Sequence, residues 1–233
     1  MKNQRNLHPN LENLRIVANS PKELREKAVF VGGAIVNLLI TDPASPEVRM
    51  STDVDVVFEI VFPSGYEKLA NRLRELGFRE DMSKDYPLIC QWTVQGVSVD
   101  IMPTDNRILG FSNEWYMEAI NTAQWFDISG ELNIRVISAP CFIMTKLAAF
   151  NNRGRKNFLD IRDMEDIVAI LDGRPEIVQE VKTSNSMLRA AIMENFRILF
   201  QDEDFIDSIP GHSVDDSRPD FVINRILEIM DLK

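Results

Sequence analysis

Only two cysteines, Cys90 and Cys141, occur in 233 residues, too few for a disulfide framework. Each lies in an apolar run, Leu88-Ile89-Cys90 and Cys141-Phe142-Ile143-Met144, so both are expected as buried thiols in a reducing compartment. No stretch reaches the roughly 18 uninterrupted apolar residues of a membrane span. The polar opening from Met1 to Asn10 lacks the apolar core of a signal peptide. A cytoplasmic location with no membrane partner is therefore expected. Basic residues are in deficit, 26 against 36 acids, for a net charge of −10. That balance excludes a surface built broadly for nucleic acid, because phosphates are held by lysine and arginine; it leaves room for a local basic groove. Histidine is scarce: His8 and His212 fall in expected loops and read as surface residues. Internal repeats and low-complexity tracts are also lacking.

What remains is ordinary for a globular chain, 45% hydrophobic and 27% charged, and long enough for one large domain or two small ones. A leading helix is expected over Leu11 to Lys27, interrupted near Pro21. A short strand, Ala28 to Val31, runs into Gly32-Gly33, and Ala34 to Ile40 reads as helix. Thr41 to Met50, with Pro43 and Pro46, reads as a loop, and the valine-rich Asp53 to Ile60 as a strand. Ser64-Gly65-Tyr66-Glu67 has the form of a capping box opening a helix that Gly77 closes. Pro87 to Val94 and Val97 to Met102 are expected to form a hairpin across Gln95-Gly96. A helix over Asn113 to Thr122 and a strand over Leu132 to Ile137 follow. From Ser138 onward helices dominate: one opened by Met144, Leu147 and Ala148, then Phe158 to Leu171, Glu176 to Val181, Ser186 to Phe200 and Phe221 to Met230, with the acidic Asp202 to Arg218 as a loop. The pattern predicts an α+β or α/β core over residues 1–139 and a helical region over 140–233.

Asp53 and Asp55, two apart on a strand, share one face while Val54, Val56 and Phe58 take the other. Ser98 and Asp100 repeat the arrangement against Val97, Val99 and Ile101. If the two strands pair in suitable register, three carboxylates can converge. Such anions repel unless a cation is present, and Mg²⁺ prefers oxygen ligands completed by water and substrate phosphates. Acid-x-acid spacing alone is weak, since about five such pairs arise by chance at this composition. Asp53 and Asp55 differ in lying inside an apolar strand, where an unpaired charge is costly. Gly32-Gly33, joining a strand to a helix, is where backbone N–H groups can approach a phosphate. The tryptophans Trp92, Trp115 and Trp125 read as core residues, and the ten methionines as core filler. Lys146, on an otherwise apolar helix, reads equally as a snorkelling core-edge residue and as a ligand contact. Arg153, Arg155 and Lys156 read as solvated helix-end charges.

Taken together, Phe30-Val31-Gly32-Gly33-Ala34, Arg49-Met50-Ser51-Thr52-Asp53-Val54-Asp55-Val56 and Val97-Ser98-Val99-Asp100-Ile101 resemble the nucleotidyltransferases of the DNA polymerase beta superfamily. Within it the chain looks most like the abortive-infection-type bacterial toxins. Lys146, Arg153-Gly154-Arg155, Asp163-Met164-Glu165-Asp166-Ile167 and Asp172-Gly173-Arg174 are similar to the helical region after their catalytic core. The resemblance spans about residues 28 to 180. It implies an α+β fold, a small mixed β-sheet nucleotidyltransferase core flanked by helices and followed by a helical C-terminal region. Asp53, Asp55 and Asp100 would then be catalytic and metal-binding, with Asp100 helping to activate an acceptor hydroxyl. Gly32, Gly33, Thr52, Lys146 and Arg153 would bind the nucleotide. Two Mg²⁺ ions, replaceable by Mn²⁺, a nucleoside triphosphate, an acceptor that is a tRNA end or a protein, and an antitoxin would be the partners. The interval from Gly33 to Asp53 is longer than usual, and Asn157 stands where an acid is expected. A catalytically inactive nucleotide- or partner-binding module on the same fold is the alternative.

Overall fold

In the computed structural model the described residues are 8–19, 22–82, 88–153, 158, 162–213 and 217–233. Seven strands form: β1 (Ala28–Val31), β2 (Asp53–Phe58), β3 (Arg79–Glu80), β4 (Gln91–Val94), β5 (Val97–Pro103), β6 (Gln124–Asp127) and β7 (Asn133–Val136). They form one mixed sheet in the order β3-β4-β5-β2-β1-β7-β6. The chain is mixed α/β, and it divides into two compact units. One holds the described residues up to Ile35 together with Arg49–Ile137, and the other holds Val36–Val48 together with the described residues from Ser138.

The first unit contains the whole sheet, with α1 (Pro9–Ala18), α2 (Lys22–Lys27), α4 (Pro63–Glu75), α5 (Asn106–Leu109) and α6 (Tyr116–Asn121); α3 (Val36–Leu39) belongs to the second. The centre of the sheet is its most apolar part. All four residues of β1 are buried, and Val54, Val56, Val99 and Ile101 are at most 3% exposed. Val17 of α1 and Leu73 of α4 enclose a small cavity with Phe30, Val56 and Ile101, so both helices cover the face opposite Asp53 and Asp55.

Turn chemistry shapes the connections. Gln95 and Gly96 both have positive φ, 49° and 84°, and join β4 to β5 as the expected two-residue hairpin. Gly77 at φ 86° ends α4 with paired bonds, from its own N–H to Arg74 O at 3.1 Å and from Phe78 N–H to Leu73 O at 3.0 Å. The other end of α4 differs from expectation. Pro63 occupies the first helical turn, the cap is Phe62 with no side-chain bond, and Ser64 lies inside the helix instead of capping it. Proline at the first helical position fixes φ and needs no N–H partner, so it starts the helix before the serine can act.

Four further expectations are corrected. His8 is no surface loop residue: it caps α1, is 8% exposed, and its Nδ1 accepts from Asn10 N–H at 3.1 Å. Strand β4 is shorter than expected, with Ile89 and Cys90 in a turn and Pro87 outside the described residues. Trp92 and Trp115 are core residues but Trp125 is exposed, and Met50 and Met82 are exposed while Met144 and Met164 are buried. Strand β6 was not expected at all, because it is a largely exposed edge strand without apolar alternation. Cys90 and Cys141 are buried and form no disulfide.

Among its described residues the second unit is helical: α7 (Ala139–Asn152), α8 (Arg162–Gly173), α9 (Ile177–Thr183), α10 (Ser186–Leu199), α11 (Glu203–Ser208) and α12 (Pro219–Met230) join α3. In α7, ten of 14 residues are buried. The expected loop from Asp202 to Arg218 contains α11 and a 3-10 turn, Ile209–His212. Asp202 Oδ1 accepts from Asp204 N–H at 3.1 Å, and Phe205 and Ile209, four apart, are both buried. Asp202 is thus the cap of a short helix, and Glu203 and Asp204 lie in its first turn. The Thr41–Val48 segment is tied to the end of α8. Gly173 O accepts from the N–H groups of Thr41 and Asp42 at 2.9 and 3.0 Å, and Arg218 bridges Asp42 and Asp172 at 2.8 and 2.7 Å. A Cβ on Gly173 would come within 2.6 Å of Ser45 Oγ, so the close approach requires glycine. No helix among the described residues is long and apolar enough to cross a membrane.

Tyr66 links α4 to the sheet. Its buried phenol lies 3.0 Å from Ile89 O and 3.1 Å from Ile101 O, and burial pushes its pKa up to about 12, with the charge of Asp100 adding to the effect. The unfolded chain loses this proton near pH 10 and the folded chain holds it longer, so the unfolded state binds fewer protons between these values and stability falls as pH rises through them. Thermal melts of wild type and Tyr66→Phe between pH 9 and 12 should show the steeper alkaline loss in wild type; parallel curves would remove Tyr66 as its source.

Candidate functional site

Strand β2 pairs in parallel with β5 so that Asp53 stands opposite Ser98 and Asp55 opposite Asp100. On its other edge β2 pairs antiparallel with β1, which sets Val31 opposite Asp55, and β4 sets Gln91 opposite Asp100. Register partners share a sheet face, so Val31, Asp55, Asp100 and Gln91 form one row across four strands, with Asp53 and Ser98 in the row beside it. Adjacent strands are roughly 5 Å apart, which brings the Asp55 and Asp100 carboxylates into neighbouring positions on a half-buried surface.

The glycine turn meets the same row. Gly32 follows Val31 with φ 71°, a left-handed conformation, and a Cβ built there would fall 1.8 Å from Asp55 Oδ2 and 2.6 Å from its Cγ. Backbone thus approaches the Asp55 carboxylate more closely than any side chain would permit. Gly33 opens a 3-10 turn to Ile35 rather than the expected single helix, and α3 follows.

Asp53 is positioned from the N-terminal side by a residue that sequence reasoning missed. Asn10, fully buried in α1, accepts at Oδ1 from Ser51 N–H at 2.8 Å and donates from Nδ2 to Arg49 O at 3.1 Å. This clamp fixes the segment entering β2. Ser51 Oγ and Thr52 Oγ1 lie 3.2 and 3.5 Å from Asp53 Oδ1, so two hydroxyls donate toward that oxygen. Nothing local in the sequence marks Asn10, whose partners are 39 and 41 residues away. Gln91 was also missed. Its Oε1 is buried and has no hydrogen-bond partner; its only sequence signal is alternation with Thr93 on the polar side of a short strand.

Among the described residues no three or more His, Cys, Asp or Glu side chains gather as a group that could hold a metal ion. The structure pairs Asp55 with Asp100 and leaves Asp53 one register step away, opposite Ser98. The donors nevertheless fit Mg²⁺ chemistry: Asp55 and Asp100 present carboxylate oxygens side by side, and Mg²⁺ characteristically takes one or two carboxylates together with substrate phosphates and water.

The two remaining nucleotide-binding candidates lie in the second unit. Lys146 of α7, 12% exposed, pairs with Asp163 at 3.0 Å and Asp166 at 2.7 Å, both buried on α8, and Arg153 pairs with Asp163. Gly154, Arg155, Lys156 and Asn157 lie outside the described residues. His212 is half-buried, with Nε2 2.9 Å from Phe158 O.

No protein-family model matches this chain, and no curated protein matches its sequence.

Two substitutions report on these arrangements. Gly32→Ala forces a left-handed non-glycine residue, costing about 1–2 kcal/mol, and drives a methyl group into Asp55. It should lower the melting temperature by several degrees; an unchanged midpoint would mean that the turn does not press on Asp55. Lys146→Ala removes the shared cation from two buried carboxylates. Breaking a buried pair costs about 3–5 kcal/mol, so the urea midpoint should fall markedly, whereas a shift below about 1 kcal/mol would show the pair to be dispensable for folding.

Proposed function

We propose that the protein transfers a nucleoside monophosphate from a nucleoside triphosphate to an acceptor hydroxyl, releasing pyrophosphate. One observation carries the reading: Asp55 lies directly opposite Asp100 in a parallel register while the Gly32 turn abuts the Asp55 carboxylate. Two adjacent acids beside a glycine turn suit a triphosphate whose charge is neutralised at the acids and whose oxygens meet backbone N–H groups. Asp55 and Asp100 would hold Mg²⁺, with Asp53 in the row beside them, and the ion when bound supplies charge neutralisation and alignment of the triphosphate. Gly32 and Gly33 offer backbone where no Cβ intervenes. Ser51 and Thr52, donating to Asp53, fix its carboxylate orientation. Asp100 accepts the proton of the attacking hydroxyl as the new bond to the α-phosphorus forms and the bond to pyrophosphate breaks. The acceptor is a tRNA end or a protein side chain. The resemblance to abortive-infection toxins supports a role as the toxin of a toxin–antitoxin pair.

The reading is tested by thermal unfolding with each of the four ribonucleoside triphosphates, with and without Mg²⁺, on wild type and Asp55→Asn. A ligand at about 100 times its dissociation constant adds roughly 2.7 kcal/mol, a midpoint shift of several degrees for a chain of this size. A Mg²⁺-dependent shift in wild type that Asp55→Asn loses, accompanied by pyrophosphate release in wild type alone, is expected. A shift without pyrophosphate release would favour the inactive binding module, and no shift with any triphosphate would remove the nucleotide site.

A further inference from the structure

A groove of about 800 Å³ in the first unit opens where β1 begins and β2 ends. Asp53 and Asp55 lie toward the other end of β2, whose six residues span roughly 17 Å. The groove floor is apolar, with Phe58 and Leu69 prominent. Its walls carry Lys27 from α2, Lys68 and Arg72 one turn apart on α4, and Arg135 from β7, against the carboxylates of Glu26 and Glu59. In a chain of net charge −10, a lining with twice as many cations as carboxylates departs sharply from the average surface. The cations are presented differently. Lys27 and Lys68 are exposed, and Arg72 shares its guanidinium with Glu75 at 2.7 Å. Arg135 is held in place by the carbonyls of Glu26 and Ile120 at 3.1 and 2.8 Å, which orient the guanidinium without neutralising it.

One large aromatic ring lines this groove uncovered, and a second stands beside one of its lining cations. Phe62, the cap of α4, lines it and is 64% exposed, and Trp125, 57% exposed, is the cross-strand partner of Arg135. Cations that track a phosphate backbone, interleaved with exposed rings on which successive bases stack, are the combination that grips an unpaired polynucleotide. A mononucleotide uses one ring and one phosphate cluster; two rings served by cations from three separate elements fit a strand. An acidic peptide matches the charge but leaves both rings unused.

We propose that this groove binds single-stranded nucleic acid, its phosphates on Lys27, Lys68, Arg72 and Arg135 and its bases on Phe62 and Trp125. Binding here goes beyond the transfer reaction and stands apart from it, since none of these residues belongs to the aspartate row.

Fluorescence anisotropy of a labelled oligouridylate and the matching oligothymidylate tests it, on wild type, Lys68→Glu/Arg72→Glu, Phe62→Ala, Trp125→Ala and Asp55→Asn. All the altered groove side chains except Arg72 are exposed, and retained melting temperatures confirm folding. Wild type should bind a single strand saturably, with log affinity falling against log salt at a slope of about −2 to −3, as four phosphate contacts dictate. The double charge reversal should weaken binding about tenfold or more, and each aromatic substitution about fivefold or more. Asp55→Asn should bind the strand as wild type does, which separates this inference from the fate of the transferase reading. Preference for oligouridylate assigns the ligand as RNA through its 2′-hydroxyls, and equal binding assigns backbone and stacking recognition common to both strands. No saturable binding of either strand, binding indifferent to both kinds of groove substitution, or equal competition by a polyglutamate peptide would overturn the proposal.

Discussion

The register between β2 and β5 is the constraint on which the aspartate site depends. Parallel strands cannot be joined by a tight turn, and α4 and the β3 and β4 strands intervene before β5 returns beside β2. Burial on the opposite face restricts that register to steps of two: Val54, Val56, Val99 and Ile101 reach the core only if Asp55 and Asp100 emerge on the same other side. A slip by one residue would turn the aspartates into the core and the valines out of it. Burying one such apolar side chain is worth roughly 1.5–3 kcal/mol, so four of them outweigh the repulsion of two neighbouring carboxylates. The core thereby holds together a polar arrangement that would not assemble by itself.

Two backbone devices refine that arrangement, and each departs from what folding alone favours. Asn10 is a polar residue fully buried, tolerable because both ends of its amide are satisfied by the segment before Asp53. Gly32 gives up side-chain contacts so that the turn after β1 can lie against Asp55. Gln91 breaks the rule outright, keeping a buried oxygen unpartnered at the end of the same row. Three such departures from local rules lie side by side on one face, which marks that face as shaped by something besides stability.

Much of this was legible, and the limits are physical. Period-two alternation located β2 and β5 and told which residues share a face, because a strand's side chains alternate whatever its neighbour is. It could not tell that Asp55 faces Asp100 rather than Ser98, since register is a property of two strands. The Gln95-Gly96 hairpin and the Gly77 stop were readable because positive φ leaves a mark in residue type. The α4 start was misread because Pro63 and Ser64 both signal a helix beginning and only geometry ranks them. Strand β6 and α11 were invisible for opposite reasons. The first is too exposed to alternate, and in the second the acidic start masks the helical spacing of Phe205 and Ile209. The long interval between Gly33 and Asp53 read as a loop. Thr41 to Met50 is indeed irregular and at the surface; what the sequence did not tell is that Thr41–Val48 belongs to the second unit, anchored on Gly173 and Arg218.

Net charge was the least transferable of the sequence observations, because it averages over cations with different fates. In the second unit Lys146 and Arg153 are matched to Asp163 and Asp166, Arg174 to Glu180, and Arg218 to Asp42 and Asp172. Those cations offset buried or half-buried carboxylates and project little field outward. In the first unit Lys27 and Lys68 make no ion pair among the described residues, and Arg135 is oriented by carbonyls alone. A potential at a surface depends on the charges left unmatched nearby and is screened beyond about 10 Å. An acidic chain can therefore carry a basic groove, provided its acids are matched or remote from it. Counting residues finds the deficit of lysine and arginine; only the fold shows where the remaining ones were left exposed.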